Sequence, residues 1–141
     1  MLFMLRWEER LMIEMFILLL MIFLHIVDDY YLQGILASMK QRGWWEKNAS
    51  DRKYKYDYIV ALLMHAFSWT FMIMLPTAIS LLLNPVAATI PVFIIMFFVN
   101  WGVHMITDHL KANVKVLNLV QDQTIHIIQI VLTWLLFFII L

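Results

Sequence analysis

Four apolar runs, each long enough to cross a bilayer, leave this chain almost no fold except a set of packed helices. A hydrocarbon core takes roughly 20 apolar residues in helical form. The runs fall at about residues 11–37, 57–83, 85–111 and 122–141. Open strands cannot satisfy their backbone groups in lipid, whereas helices do so internally. The chain is 64% hydrophobic and 14% charged, against roughly 45–50% and about 25% for soluble domains. The expectation is an all-α membrane protein: one domain over 1–141, a four-transmembrane-helix bundle with both termini on the same, outer side. Met1 to Arg10 is a mixed charged start, and no small-residue cleavage site follows the first run, so that run is expected to stay as a membrane helix.

Composition removes other classes. Net charge is zero, which gives no electrostatic basis for nucleic-acid binding. The chain has no cysteine, which excludes disulfides and thiolate metal ligands.

Boundaries follow from local signals. Asn84-Pro85 marks a tight turn, with asparagine as cap and proline at the first helical position. The third helix therefore starts at Pro85 or, because of Pro91, a turn later. Pro76 is expected to kink the second. Between the first two helices, residues 38–56 form a polar loop with six Lys or Arg, together with Trp44, Trp45, Tyr54 and Tyr56. These aromatic types settle at headgroup level, and the expectation is a solvated interfacial loop. Lys111 and Lys115 add two basic residues on the same side, against Arg6 and Arg10 on the other. Eight against two places both long connections in the cytoplasm.

The residues that break the apolar pattern carry the functional signal. His25, Asp29 and Gln33 are spaced four apart and share one helix face, with Asp28 beside it and ranked lower. His104 with Asp108, and Asp122 with His126, repeat that separation, and His65 lies early in the second helix. Under the charge-derived topology all seven fall in the cytoplasmic leaflet, so four helices can point them into one interior. A carboxylate at the bilayer centre costs about 2.5–3.5 kcal/mol, which argues against a lipid-facing position. Histidine and aspartate at this spacing, with Cβ atoms about 5–6 Å apart, suit a divalent transition metal. Zinc is the first expectation and manganese, iron or nickel the alternatives.

The expected ligands are His25, Asp29, His65, His104, Asp108, Asp122 and His126. They exceed the set for one catalytic zinc, so one or two ions are expected, with Asp29, Asp108 or Asp122 free as a catalytic base. Lys111, three residues after Asp108, is the expected substrate-binding cation. Asp28, Gln33, Asn100, Gln123 and Gln129 are expected to hydrogen-bond the ligands from behind. His109 points away from the His104 face, and Glu14 is expected at the headgroups.

Taken as a set, His25–Asp29–Tyr30–Gln33, His65, His104–Asp108–Lys111 and Asp122–Gln123–His126 resemble an uncharacterised family of small multi-pass membrane proteins of bacteria and phages. That family's pattern is His-x-x-x-Asp-Phe-x-x-Gln, a histidine, His-x-x-x-Asp-x-x-Lys, then Asp-Gln-x-x-His; Tyr30 stands where phenylalanine is usual. The set is more loosely similar to inner-membrane-associated metal-dependent hydrolases. The resemblance implies a multi-pass integral protein of the bacterial inner membrane and favours a hydrolase but says nothing of substrate. From the site itself the expected substrate is a phosphoester or lipid-like anion, with membrane lipid as partner. A metal or proton transporter is the first alternative. The second is a phage- or host-encoded membrane interaction protein whose helices are stapled by a structural metal. Self-assembly into a homo-oligomer stays open.

Overall fold

A computed structural model describes residues 2–83, 85, 87 and 89–140. All regular structure among them is helical. Helix α1 spans Leu2–Ile26 and continues as a π-helical turn, Val27–Leu32. Two short helices follow, α2 at Leu36–Met39 and α3 at Arg42–Asn48, then a 3-10 turn at Arg52–Tyr54. Helix α4 runs Asp57–Leu83, α5 Thr89–His109 with a second π-helical turn at Leu110–Val114, and α6 Leu119–Ile140. Four stretches are long and apolar enough to cross a membrane: Trp7–Leu32, Arg52–Leu83, Thr89–Val114 and Leu119–Ile139.

Local chemistry sets the helix ends. The first stretch stops at Gly34, whose φ of +51° lies in the left-handed region that glycine enters without a Cβ clash. Its end is thus earlier than the expected residue 37. Helix α5 starts at Thr89, a turn past Pro85; the expected Asn84 cap lies outside the described residues. Lys115 ends the π-helical turn after α5 in a left-handed conformation, φ +63°, where glycine is usual. Helix α6 opens on a reciprocal cap: the Gln121 N–H donates to Asn118 Oδ1 at 2.9 Å and the Asn118 N–H to Gln121 Oε1 at 3.0 Å. This is the capping-box arrangement. Helix α4 continues through Pro76, which is buried.

The long helices form a closed ring, α1 against α4, α4 against α5, α5 against α6 and α6 back against α1. Cross-links at both ends show α1 and α6 to be antiparallel. Arg10 donates to the Phe138 carbonyl at 2.6 Å and Trp134 to the Glu14 carbonyl at 2.8 Å, while His25 meets Gln123 at the other end. Glu14 is itself buried, unlike the headgroup position expected for it.

Burial is inverted relative to a water-soluble protein. Met21, Trp69, Ile73, Met74, Ile130 and Phe137 make one apolar core. Yet buried polar and charged side chains outnumber buried hydrophobic ones among the described residues, while Phe16, Leu19, Phe23, Ile94, Ile95, Phe98 and Leu132 are exposed. Outward apolar surface and inward polar groups suit a molecule whose surroundings are largely hydrocarbon.

Residues 38–56 are a folded cap and not an open loop. Asn113 holds the segment from both sides, accepting from the Arg42 N–H at 2.7 Å and donating to the Lys40 carbonyl at 3.0 Å. Trp45 donates to the Met39 carbonyl at 2.7 Å. The chain reversal at Gly34 thereby turns Lys40 inward, where it is buried.

A candidate metal centre

The site begins where α1 changes to π-helical form. One extra residue per turn departs from the 3.6-residue pattern, and such turns recur at functional sites. Here it turns two neighbouring acids inward together. Asp28 accepts from Ser68 at 2.6 Å and lies 3.8 Å from His65 Nδ1, while Asp29 Oδ1 lies 3.3 Å from His65 Nε2.

His65, on α4, is the centre. Its Nε2 has Gln33 Nε2 at 3.0 Å, Asp108 Oδ2 at 3.2 Å, His104 Nε2 at 3.2 Å and Asp29 Oδ1 at 3.3 Å. One imidazole nitrogen offers a single proton or a single lone pair, so it cannot hydrogen-bond all four. If it accepts from the Gln33 amide, its lone pair faces two carboxylates, a repulsive arrangement unless a positive centre lies among them. The spacing matches such a centre: ligand atoms roughly 2.0–2.1 Å from a tetrahedral ion lie about 3.3 Å apart. His104 Nε2 and Asp108 Oδ2 are wider, at 3.8 Å.

Among the described residues, two groups could hold a metal ion: Asp29, His65 and His104, and His104, Asp108 and His126. They meet at His104, whose Nδ1 is 3.2 Å from His126 Nδ1. Asp108 also spans them, with Oδ2 toward His65 and Oδ1 3.8 Å from His126 Nε2. Asp122 approaches His126 Nε2 to 3.4 Å but belongs to neither group.

His25 lies outside both groups, and both its nitrogens are engaged. Trp69 Nε1 donates to Nδ1 at 2.7 Å, which leaves Nε2 to donate to Gln123 Oε1 at 3.1 Å. The Gln123 amide then donates to Asp29 Oδ2 at 2.9 Å and to Asp122 Oδ2 at 3.1 Å. Gln33 supports Asp29 and His65 from the other side. Gln129 reaches His126 at 3.4 Å and Asn100 at 3.3 Å. Asn100 donates to Thr133 at 2.9 Å and touches no candidate ligand.

Spacing did not single out three further contributors. Lys40 donates to Asp108 Oδ2 at 2.6 Å, an ion pair that depends on the reversal at Gly34. Ser68 and Trp69 lie three and four residues beyond His65 on α4, a helical spacing that does carry a signal. Trp69 stacks on His104 with centroids 4.1 Å apart, fixing that ring between the polar cluster and the apolar core. Lys111, expected to hold substrate, is ion-paired with Asp122.

With its histidines neutral, the cluster holds more negative than positive charge. Four aspartates converge, and lysines meet two of them, Asp108 and Asp122. Asp28 and Asp29 have no lysine partner among the described residues; the basic group beside them is His65, at 3.8 and 3.3 Å, and buried charges persist only when paired or coordinated. Asp28 Oδ2, Asp122 Oδ1 and His126 Nε2 are buried without a hydrogen-bond partner. A divalent cation would suit this set of imidazole and carboxylate donors.

A cavity of about 470 Å³ opens onto the cluster. Asp29, Asp108, Lys40, Lys111 and Lys115 are among the residues that line it.

The class that fold and site define is an all-helical protein with four membrane-length helices around a buried His/Asp cluster able to hold a metal ion. No family model, curated protein or solved structure matches the chain, so this description rests on its own residues.

Proposed function

We propose that this chain is a multi-pass integral membrane protein that hydrolyses an anionic phosphoester in a metal-dependent reaction, its pocket facing the cytoplasmic leaflet. The convergence on His65 Nε2, with two carboxylate oxygens and a second imidazole within 3.3 Å, carries the reading. The lysine-lined cavity above it supports an anionic substrate. The basic cap of residues 38–56 lies at the same end as the cluster, which supports the cytoplasmic orientation.

His104, Asp108 and His126, one of the two groups able to hold an ion, would hold it, with His65 beside them and Asp29 left free. The cation would supply Lewis-acid charge to the phosphoryl group and activate water. The chain's own residues supply the rest. Lys115, which has no ion-pair partner among the described residues, holds a non-bridging phosphate oxygen, and Lys111, paired with Asp122, adds positive charge beside it. Asp29 is the less buried of the two carboxylates that line the cavity, its side chain 7% exposed against 2% for Asp108. It takes the proton from the attacking water as the new P–O bond forms and the ester P–O bond breaks. The departing oxygen is reprotonated from solvent in the open cavity. Gln123, anchored on His25, holds Asp29 in place for that step.

Release of inorganic phosphate or an alcohol from phosphoesters, dependent on added metal and lost in Asp29→Asn with the fold intact, tests this reading. Retention of hydrolysis in Asp29→Asn would refute Asp29 as base. Complete unfolding of Asp108→Asn would instead favour a structural staple.

One observation favours a second reading, proton or metal transport. The polar chain continues from His104 and His126 through Gln129, Asn100 and Thr133. It then meets the apolar core of Met21, Ile73 and Phe137, and conduction needs polar groups or water along the whole path. Ion flux in liposomes that disappears in His104→Ala would establish it.

A further inference from the structure

The cavity over the cluster does not end at its polar walls. Tyr30 and Gln123 line it, and the same two residues line a neighbouring groove of about 490 Å³ that runs along α6 past Leu119, Ile127 and Ile128. They also line a third hollow, of about 420 Å³, which reaches Ile26 and Tyr31. Polar pocket and apolar groove therefore adjoin at one point of the ring, with Tyr30 and Gln123 as their shared wall. The gap lies between the π-helical turn Val27–Leu32 and the first turns of α6. Gln123 bridges it, bonding His25 at 3.1 Å and Asp29 at 2.9 Å.

We propose that the substrate is a lipid, an acyl-bearing phosphate ester that enters sideways through this gap. The inference rests on the hydrolase reading and names its substrate class. The charged end fits the lysines: Lys40 and Lys111 are paired with aspartates, whereas Lys115 has no ion-pair partner among the described residues and faces the same cavity. The apolar end fits the open groove, whose Leu119, Ile127 and Ile128 offer one hydrocarbon wall to a chain. A soluble phosphoester would use the cavity alone and leave the groove without a role. For a lipid, the tail stays in apolar surroundings throughout, and only the headgroup moves into the polar cavity. Extraction of the chain into water, the costly step for such a molecule, is avoided. Affinity then comes mainly from the headgroup charge and selection from the tail.

The test uses the full chain reconstituted in phosphatidylcholine bilayers doped with phosphatidic acid that carries a diazirine in its acyl chain. After irradiation, labelled peptides are mapped by mass spectrometry. The expected label falls on Tyr30 and on α6 between Leu119 and Ile128. Lys115→Gln should lower it about fivefold, the weight of one lysine beside a lipid headgroup. Ile128→Trp, at an exposed position, should block it while leaving metal content unchanged. Unlabelled phosphatidic acid should compete, and glycerol 3-phosphate should not. Label spread over the outer faces of all four helices would overturn the proposal, as would equal competition by glycerol 3-phosphate. Labelling needs no turnover, so the two readings fail separately. Groove labelling without phosphate release removes the hydrolase alone, and hydrolysis of soluble esters without groove labelling removes the lipid route alone.

Discussion

The two ends of the helix ring are built on opposite terms. At one end Met21, Ile73, Met74, Ile130 and Phe137 pack as an apolar core. At the other, four aspartates and four histidines share a small volume with two lysine contacts, that of Lys40 buried and that of Lys111 half-buried. Packing among side chains is favourable without further help, since many small dispersion contacts add. A buried charge cluster costs desolvation that its own pairs offset only with good geometry. The apolar end therefore holds the helices together, and the charged end is carried by it. Trp69 joins the two, lying within the apolar core while stacked on His104.

That contrast can be broken by substitution. The largest effect is expected at the charged end. Asp108→Ala strands Lys40 and leaves His65 and His126 without their shared carboxylate, a loss of about 3–5 kcal/mol together with metal binding. Denaturant unfolding in detergent and metal analysis of the same sample check both parts. A stability change below about 1 kcal/mol, within the range of an exposed pair, would show that the Lys40 contact is not buried.

The apolar end should behave differently. Ile73→Ala removes a fully buried side chain and should cost about 2–5 kcal/mol, with metal content unchanged in the fraction that folds. Loss of metal without loss of stability would erase the division of labour between the two ends.

The smallest effect sharpens the role of Lys115. Its left-handed backbone costs an ordinary residue about 1–2 kcal/mol, part of which glycine returns as unfolded-chain entropy. Lys115→Gly should thus stabilise the chain by roughly 0.5–1 kcal/mol while weakening anion binding. Stability that falls instead would show that the lysine side chain itself holds the turn.

The apolar end and the four long helices were legible because run length and hydropathy act through local sequence. The grouping of His65, His104, Asp108, Asp122 and His126 was legible for a related reason: helical spacing and a shared depth place them at one end of the chain's passes. Asp28 was not. The 3.6-residue period moved it off the interior face, and the π-helical turn at Val27–Leu32 that returns it has no signature in residue type. Lys40 was hidden in a basic segment that reads as solvated; its burial depends on the reversal at Gly34 and on Asn113, a contact across 73 residues of chain. His25 shows a different limit. Its spacing to Asp29 suits chelation, but Trp69 and Gln123 occupy both its nitrogens, and that choice of partner is made in three dimensions.

The proposed metal ion supplies positive charge beside Asp28 and Asp29, which have no lysine partner among the described residues, and among the histidines around His65. Elemental analysis of the chain after gentle purification without chelator tests for it most directly. At least one equivalent of a divalent transition metal is expected, lost in a His65→Ala and His104→Ala double variant. Substoichiometric metal in a folded, intact sample would contradict it.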